Sequence, residues 1–154
     1  MEILKVFKRQ ASMWFQYKEG TKYVEGVTKS RDPCIFLSFT PSSGSREYSR
    51  DDAIVIALNY WDVTAIVDGC KEGFLDAAGE KRSVSIIHNY DGTIKSLRVG
   101  AGNLDDDGRP TYGWYLKVGD DSYTVFTSDT EMYGGGKLGI CGYLLNCGQR
   151  MLND

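Results

Sequence analysis

The chain is poor in the residues that carry metal and nucleophilic chemistry, with four cysteines and one histidine. Cys34, Cys70, Cys141 and Cys147 form no C-x-x-C pair and His88 is the single imidazole, so a zinc site would need long-range convergence of scattered ligands. Buried free thiols in a reducing cytosol are the expectation, with no metal and no cofactor. Long apolar runs are lacking as well. The longest candidate, toward the carboxyl end, is broken by Asn146, Gln149 and Arg150, which argues against a helical membrane span. The opening Met1-Glu2-Ile3-Leu4-Lys5-Val6-Phe7 lacks the basic start, apolar stretch and small-residue cleavage site of a secretion signal, and the Arg/Ser-rich character of a transit peptide. A cytoplasmic protein is expected, in the host cytoplasm if the source is viral.

What is present suits one soluble domain over residues 1–154: 42% of the chain is apolar, 12% aromatic and 25% charged, enough for one substantial core. A net charge of -3 and a pI near 5.2 argue against coating duplex DNA through a broad basic surface. The average hides an asymmetry. Residues 1–50 hold nine Lys/Arg against five Asp/Glu, whereas residues 51–154 hold nine against sixteen, so positive potential is concentrated in the first third.

Most of the chain alternates with a period of two. Lys8 to Lys18 reads as a strand with Lys8, Gln10, Ser12, Trp14 and Gln16 on one face and Arg9, Ala11, Met13, Phe15 and Tyr17 on the other. A short strand is expected over Lys22 to Val27. Ile35, Leu37 and Phe39 alternate against Cys34, Phe36 and Ser38, a turn-rich break follows from Pro41 to Ser45, and a strand runs from Arg46 to Leu58. Asn59 or Asp62 then caps a short helix with Trp61, Ala65 and Ile66 as its apolar members, ending near Gly69. In the second half, Asp91-Gly92 joins strands Arg82 to Tyr90 and Thr93 to Val99, since both turn residues tolerate positive φ. A further hairpin joins Tyr112 to Val118 and Tyr123 to Phe126 across Gly119-Asp120-Asp121. Lys137 to Leu152 reads as a helix with Leu138, Cys141, Leu145 and Leu152 on one side and Ile140, Leu144, Cys147 and Met151 beside them. The order is strands, helix, strands, helix.

Binding a single strand without reading sequence needs cations spaced along the phosphates and flat side chains on which bases stack. Lys5 to Tyr23 supplies both, because Lys5, Lys8, Arg9, Lys18 and Lys22 interleave with Phe7, Trp14, Phe15, Tyr17 and Tyr23. Aromatic residues on strands are more often core than platform. Trp14 stands out because it shares its face with Lys8, Gln10, Ser12 and Gln16. Arg46, Tyr48 and Arg50 form a second candidate cluster at the turn into their strand, where the bland alternative is an edge kept soluble.

Phe7-Lys8-Arg9-Gln10-Ala11-Ser12-Met13 is similar to the Lys-Gly-Lys-Ala-Ala-Leu strand motif of the Whirly family of single-stranded DNA-binding proteins. Leu37-Ser38-Phe39-Thr40-Pro41, then Arg46-Glu47-Tyr48-Ser49-Arg50, then Ile54 to Asp68 resemble that family's Leu-Gln-Phe-Ala-Pro, its Arg-x-Tyr-x-x-Ser-Arg and the strand and helix that follow. The chain departs from the first motif at Arg9 and Gln10. The resemblance implies an α+β fold of two antiparallel four-stranded β-sheets with helices, ββββα repeated twice. It also implies a homotetramer cemented by the helices, and single-stranded DNA lying along the sheets and between protomers with little sequence preference. The residues proposed to meet the strand are Lys5, Lys8, Arg9, Gln10, Ser12, Trp14, Tyr17, Lys18, Lys22, Arg46, Tyr48 and Arg50.

A non-catalytic protein protecting or presenting single strands in replication or recombination is the function expected, with replication proteins as further partners. The lack of a transit peptide points to a phage or bacterial setting rather than a plant organelle. RNA binding on the same scaffold is the near alternative, since stacking does not distinguish the sugar. A β-rich structural or virion interaction module is another. Other motifs carry less. Asp105-Asp106-Asp107-Gly108 has consecutive rather than alternating carboxylates and no glutamate at loop position twelve, so it reads as a solvated hairpin tip. Gly134-Gly135-Gly136-Lys137 is followed by Leu138 where a phosphate loop needs Ser or Thr. His88 has no Cys or Asp at catalytic spacing and reads as a strand residue with a hydrogen bond.

Overall fold

The computed structural model describes residues 3–8, 11–21, 31–42, 50–134 and 139–153. Eight strands form two antiparallel sheets, each with its strands side by side in chain order. The first holds β1 (Ile3–Phe7), β2 (Ala11–Lys18), β3 (Cys34–Pro41) and β4 (Ile54–Leu58); the second holds β5 (Ser83–Tyr90), β6 (Thr93–Leu104), β7 (Pro110–Val118) and β8 (Asp121–Ser128). Helix α1 (Tyr60–Lys71) follows the first sheet, and α2 (Asp129–Tyr133) and α3 (Ile140–Asn153) follow the second. The expected α+β class and two-sheet architecture are therefore present.

Period-two alternation decides which side of each strand is buried. Met13, Phe15 and Tyr17 of β2, Ile35, Leu37 and Phe39 of β3, and Ile54, Ile56 and Leu58 of β4 face inward. Leu97 and Val99 of β6, Tyr112, Trp114 and Leu116 of β7, and Val125 of β8 form the facing layer. The Phe15 and Trp114 rings meet edge to face at 5.5 Å and join the two sheets. Lys95 on β6 adds a polar tie by donating to the Val55 carbonyl at 2.8 Å.

The β5–β6 turn is Asp91-Gly92 as expected, with φ of 50° and 88°. The β6–β7 connection is the Asp105–Asp107 tip, where Asp105 Oδ1 accepts from the Asp107 and Arg109 amides at 2.9 Å each. Its carboxylate thus organises the turn. Strand β6 runs to Leu104 and β8 from Asp121 to Ser128, longer than the sequence pattern indicates. Glycines at 100 and 102 blur the alternation there. The strand expected over Lys8 to Lys18 is β2 from Ala11, and a strand that was not expected, β1, pairs with it, with Lys5 opposite Trp14. The expected strand over 22–27 and the segment 43–49 lie outside the described residues.

Asn59 is the N-cap of α1 and Asp62 its box partner: Asn59 Oδ1 accepts from the Asp62 amide at 2.9 Å and Asp62 Oδ2 from the Asn59 amide at 3.0 Å. The buried stripe is Val63, Ile66, Val67 and Cys70. Trp61 is 75% exposed, so of the expected apolar face Ile66 alone is fully buried. The helix runs past Gly69 to Lys71, and the glycine admits the Phe74 ring, which a Cβ at 69 would approach to 2.5 Å. In α3 the buried side carries Ile140, Tyr143, Leu144, Cys147 and Met151, while Leu145 and Leu152 are exposed. Of the expected apolar side Cys141 is buried and Leu138 lies outside the described residues, whereas Ile140, Leu144, Cys147 and Met151, expected beside it, are all buried.

One chemical expectation is overturned. Cys70 at the end of α1 and Cys141 in the first turn of α3 form a disulfide, with Cα atoms 6.1 Å apart and a sequence separation of 71. Nothing in the spacing announces this pair, because only the docking of α3 on α1 brings them together.

Candidate nucleic-acid interface

Alternation that buries Met13, Phe15 and Tyr17 sends Trp14, Gln16 and Lys18 to the outer side of the first sheet. Register then aligns these with neighbours on the other strands. Lys5, Trp14, Ser38 and Val55 form one row across the four strands, and Gln16, Phe36 and Ala57 form the next. Lys18 pairs with Cys34 at the end of the sheet. All of these side chains are exposed or half-buried.

The ammonium of Lys5 sits 4.3 Å from the Trp14 ring centroid, and that of Lys18 lies 5.9 Å from the Phe36 ring. Trp14 and Phe36 therefore each have a lysine ammonium over the ring. No Asp or Glu occupies an outward position of β2, β3 or β4 among the described residues. Burial pushes the Cys34 thiol above its ordinary value, with the Arg31 and Lys18 charges pulling the other way. The face thus offers cations and π surfaces and lacks a carboxylate or imidazole that could move a proton.

The expected site residues separate into groups. Lys5, Trp14 and Lys18 share the outer face. Ser12 stands on the same alternation but is fully buried, and its hydroxyl finds no hydrogen-bond partner among the described residues. Tyr17 is fully buried on the core side, with the Arg150 guanidinium 4.3 Å above its ring. As placed, Ser12 and Tyr17 cannot touch a strand; the inward phase of β2 puts Tyr17 in the core. Lys8 pairs with Glu131, whose carboxylate also accepts from the Ser128 amide at the start of α2. That lysine ties β1 to the second half of the chain. Arg9, Gln10, Lys22, Arg46 and Tyr48 lie outside the described residues, and Arg50 is described in its backbone alone, opening a 3-10 turn over Arg50–Asp52.

Phe36 was missed as a site residue. Its signal was legible, since it alternates with the buried Ile35, Leu37 and Phe39 and follows Cys34 on the outward phase. His88, read as a hydrogen-bonded strand residue, has its Nε2 2.7 Å from Asp62 Oδ2, a hydrogen bond that ties β5 to the start of α1. Among the described residues no group of three His, Cys, Asp or Glu side chains is arranged to hold a metal ion.

No protein-family model and no curated protein matches this chain. Among solved structures, it is similar to the plant transcriptional regulator PBF-2, at 16% identity over 99% of this chain and 91% of that one, with a TM-score of 0.61. It is similar to WHY3 from Arabidopsis thaliana at 15% identity, over 98% of this chain and 86% of that one, with a TM-score of 0.60. WHY1 from the same plant aligns at 16% identity over 82% of this chain and 73% of that one, with a TM-score of 0.51. At such identities the likeness establishes the fold, which is that of the plant Whirly proteins.

Proposed function

We propose that this chain is a non-catalytic, single-stranded nucleic-acid-binding protein that holds DNA on the outer face of its first sheet, largely without reading sequence. The observation that carries this reading is that face: Trp14 and Phe36 each lie beside a lysine, with no acid at the outward positions, on a chain whose net charge is -3. Phosphates are drawn to Lys5 and Lys18 while bases stack on the rings between them. Stacking accepts any base, so sequence independence follows from the chemistry. The fold supports the same reading, since it is shared with a plant transcriptional regulator. Arg9, Gln10, Lys22, Arg46, Tyr48 and Arg50 extend the contact in this proposal. A homotetramer joined through the helices, acting on single strands in replication or recombination in the cytoplasm, completes it.

The test is fluorescence anisotropy of labelled oligo-dT titrated with the chain, beside duplex DNA and RNA of equal length. A stacked base is worth about 1–3 kcal/mol, so Trp14→Ala should weaken single-strand binding roughly 5- to 150-fold. Each lysine that contacts a phosphate adds about 0.7 to the log–log salt slope for single strands, so Lys5→Ala with Lys18→Ala should shallow it by about 1.4. Absence of single-strand binding at low salt would sink the proposal and leave the structural-module reading. Preferential RNA binding would replace the ligand but keep the face.

A further inference from the structure

Among the described residues, each sheet edge but one is guarded by charge, by a neighbouring element or by its own shortness. β1 is five residues long with Lys5 at its centre, and β4 is equally short, with its Val55 carbonyl taken by Lys95. β8 begins at Asp121 and runs into α2, and both β2 and α2 lie against it. β5 is the exception. Its eight residues, Ser83-Val84-Ser85-Ile86-Ile87-His88-Asn89-Tyr90, include no Asp, Glu, Lys, Arg, Pro or Gly. β6 pairs with one side of this strand, and among the described residues no backbone hydrogen bond to another element occupies the opposite side.

A long, uncharged edge of this kind is a template for a further strand. The side chains beside it are apolar and open to water: Ile87 is 68% exposed and Ile94, on the adjoining strand, 55%. Register brings the two together. Ile87 faces Ser96 and Ile94 faces Asn89, so the isoleucines are diagonal neighbours on the outward side, away from the buried Ile86 and Leu97. His88 alternates with them, on the side of Ile86, and its ring is held by Asp62. The outward side of the edge is thus neutral along its whole length.

We propose that β5 pairs with β5 of a second copy of this chain, antiparallel about a two-fold axis, so that the four strands of each copy's second sheet join into one continuous sheet. Side-chain phase restricts the register. An axis perpendicular to the sheet keeps outward residues outward, and setting Ile87 against Ile87 of the second copy gathers the exposed isoleucines of both copies into one cluster. Ser85 then faces Asn89 of the second copy, and Ile86 faces its His88. A second copy suits this edge better than a foreign strand, because a two-fold contact sets each residue near the axis against itself or a close neighbour, and any charge there would repel itself. β5 carries none. The contact is separate from the outer face of the first sheet and from an assembly joined through the helices, and it rests on neither.

The test reads mass and proximity on the full chain, with no nucleic acid present. Ile87→Lys sets two ammonium groups against each other at the axis, so the mass in solution should fall to half the wild-type plateau in sedimentation or light scattering. Ile87→Val, still apolar, should keep the wild-type mass. In a Cys34→Ser background, which removes the half-exposed free thiol, Ile87→Cys should form an intermolecular disulfide under copper-catalysed air oxidation, since facing antiparallel residues hold their Cα atoms about 4.5–5.5 Å apart. Ile94→Cys in the same background should not, because three strand spacings, at least about 14 Å, separate it from its equivalent. Equal masses for wild type and Ile87→Lys at every concentration would overturn the pairing, and so would an Ile94→Cys chain that crosslinks as readily as Ile87→Cys. Should Ile87→Lys fail to fold by circular dichroism, the crosslink decides alone, and absence of a covalent Ile87→Cys dimer overturns the proposal.

Discussion

Reducing the Cys70–Cys141 bond should destabilise the fold severely without disturbing either outer sheet face. The bond closes a loop spanning 71 positions, from the end of α1 through the whole second sheet to the start of α3. Chain entropy for a loop of that size corresponds to about 4 kcal/mol of restricted unfolded chain at 25 °C. Both residues are buried, Cys70 at 4% and Cys141 at 9% exposure, so reduced thiols stay packed and the loss is mainly that entropy. For a domain of this length each kcal/mol moves the melting temperature by about 2–4 °C, which sets the expected fall at about 10–15 °C. Circular dichroism melts with and without reductant read it directly, beside a Cys70→Ser, Cys141→Ser variant that should melt with the reduced protein. Thiol alkylation of the unfolded, unreduced chain should label two cysteines, and four after reduction. A reduced chain, verified by alkylation, that melts within a few degrees of the oxidised one would refute the reasoning. A variant that falls when reduction does not would show that thiol packing, rather than loop closure, carries the energy.

Other expectations follow from named contacts. Gly69→Ala places a Cβ 2.5 Å from the fully buried Phe74 ring, so it should cost about 2 kcal/mol by overpacking in urea denaturation, despite alanine's better helix propensity. Asn59→Ala removes the acceptor for the Asp62 amide and should cost about 1 kcal/mol, whereas Asn59→Ser, which keeps a cap oxygen, should cost little. Desolvation by burial, then the neighbouring Tyr133 and Asp129, pushes the Tyr112 hydroxyl well above its ordinary value, and burial raises Tyr133 and Tyr90 too. A raised tyrosine binds its proton more tightly when folded, so this stability is fully present below pH about 10 and is lost as pH rises through the folded values. Denaturation midpoints should therefore fall above pH 10, less steeply in Tyr112→Phe, and an unchanged slope would contradict the burial argument.

The fold was legible where alternation is strict and opaque where it is not. Ile35, Leu37 and Phe39 announce β3 because each inward residue is large and apolar, and Asp91-Gly92 announces its hairpin because its turn demands positive φ. The extension of β6 through Gly100 and Gly102 was hidden, since glycine carries no phase information. The faces of α1 and α3 were misjudged for a different reason. Trp61 and Leu145 are apolar yet exposed, and choosing among several apolar stripes on one helix requires knowing what the helix packs against. The candidate interface was half legible. Lys5, Trp14 and Lys18 follow from strand phase, but Ser38 in the row of Trp14, and Phe36 under the Lys18 ammonium, depend on register between strands separated by a long connection, which sequence alone does not carry. Tyr17 shows the converse, an aromatic adjacent to a lysine in sequence and on the opposite side of the sheet from it in space.

On the proposed function, an acidic chain must keep its carboxylates off the surface that meets a polyanion, and the described acids are distributed accordingly. Asp91, Asp105, Asp106, Asp107, Asp120 and Asp121 sit at hairpin ends and Glu19, Asp32, Asp51 and Asp52 just beyond strands of the first sheet; Asp62, Asp129 and Glu131 sit at helix starts, where Asp62 and Glu131 accept from cap amides and all three favour the positive end of the helix dipole. Charges separated by more than about 8 Å are largely screened at physiological salt, so a phosphate on the first sheet responds to Lys5 and Lys18 rather than to the net charge of the chain. Duplex DNA is another matter. It carries about one charge per 1.7 Å of axis on a stiff rod that cannot follow a single sheet face, and laying it there brings phosphates over Glu19, Asp32, Asp51 and Asp52 at the ends of the first sheet's strands. Its bases are also stacked on one another and unavailable to Trp14 or Phe36. Discrimination against duplex thus arises from exclusion at the rim as much as from stacking at the centre. Replacing Asp51 and Asp52 by Asn should therefore raise duplex affinity at low salt more than single-strand affinity, and equal gains for both ligands would show that these rim acids do not select between them.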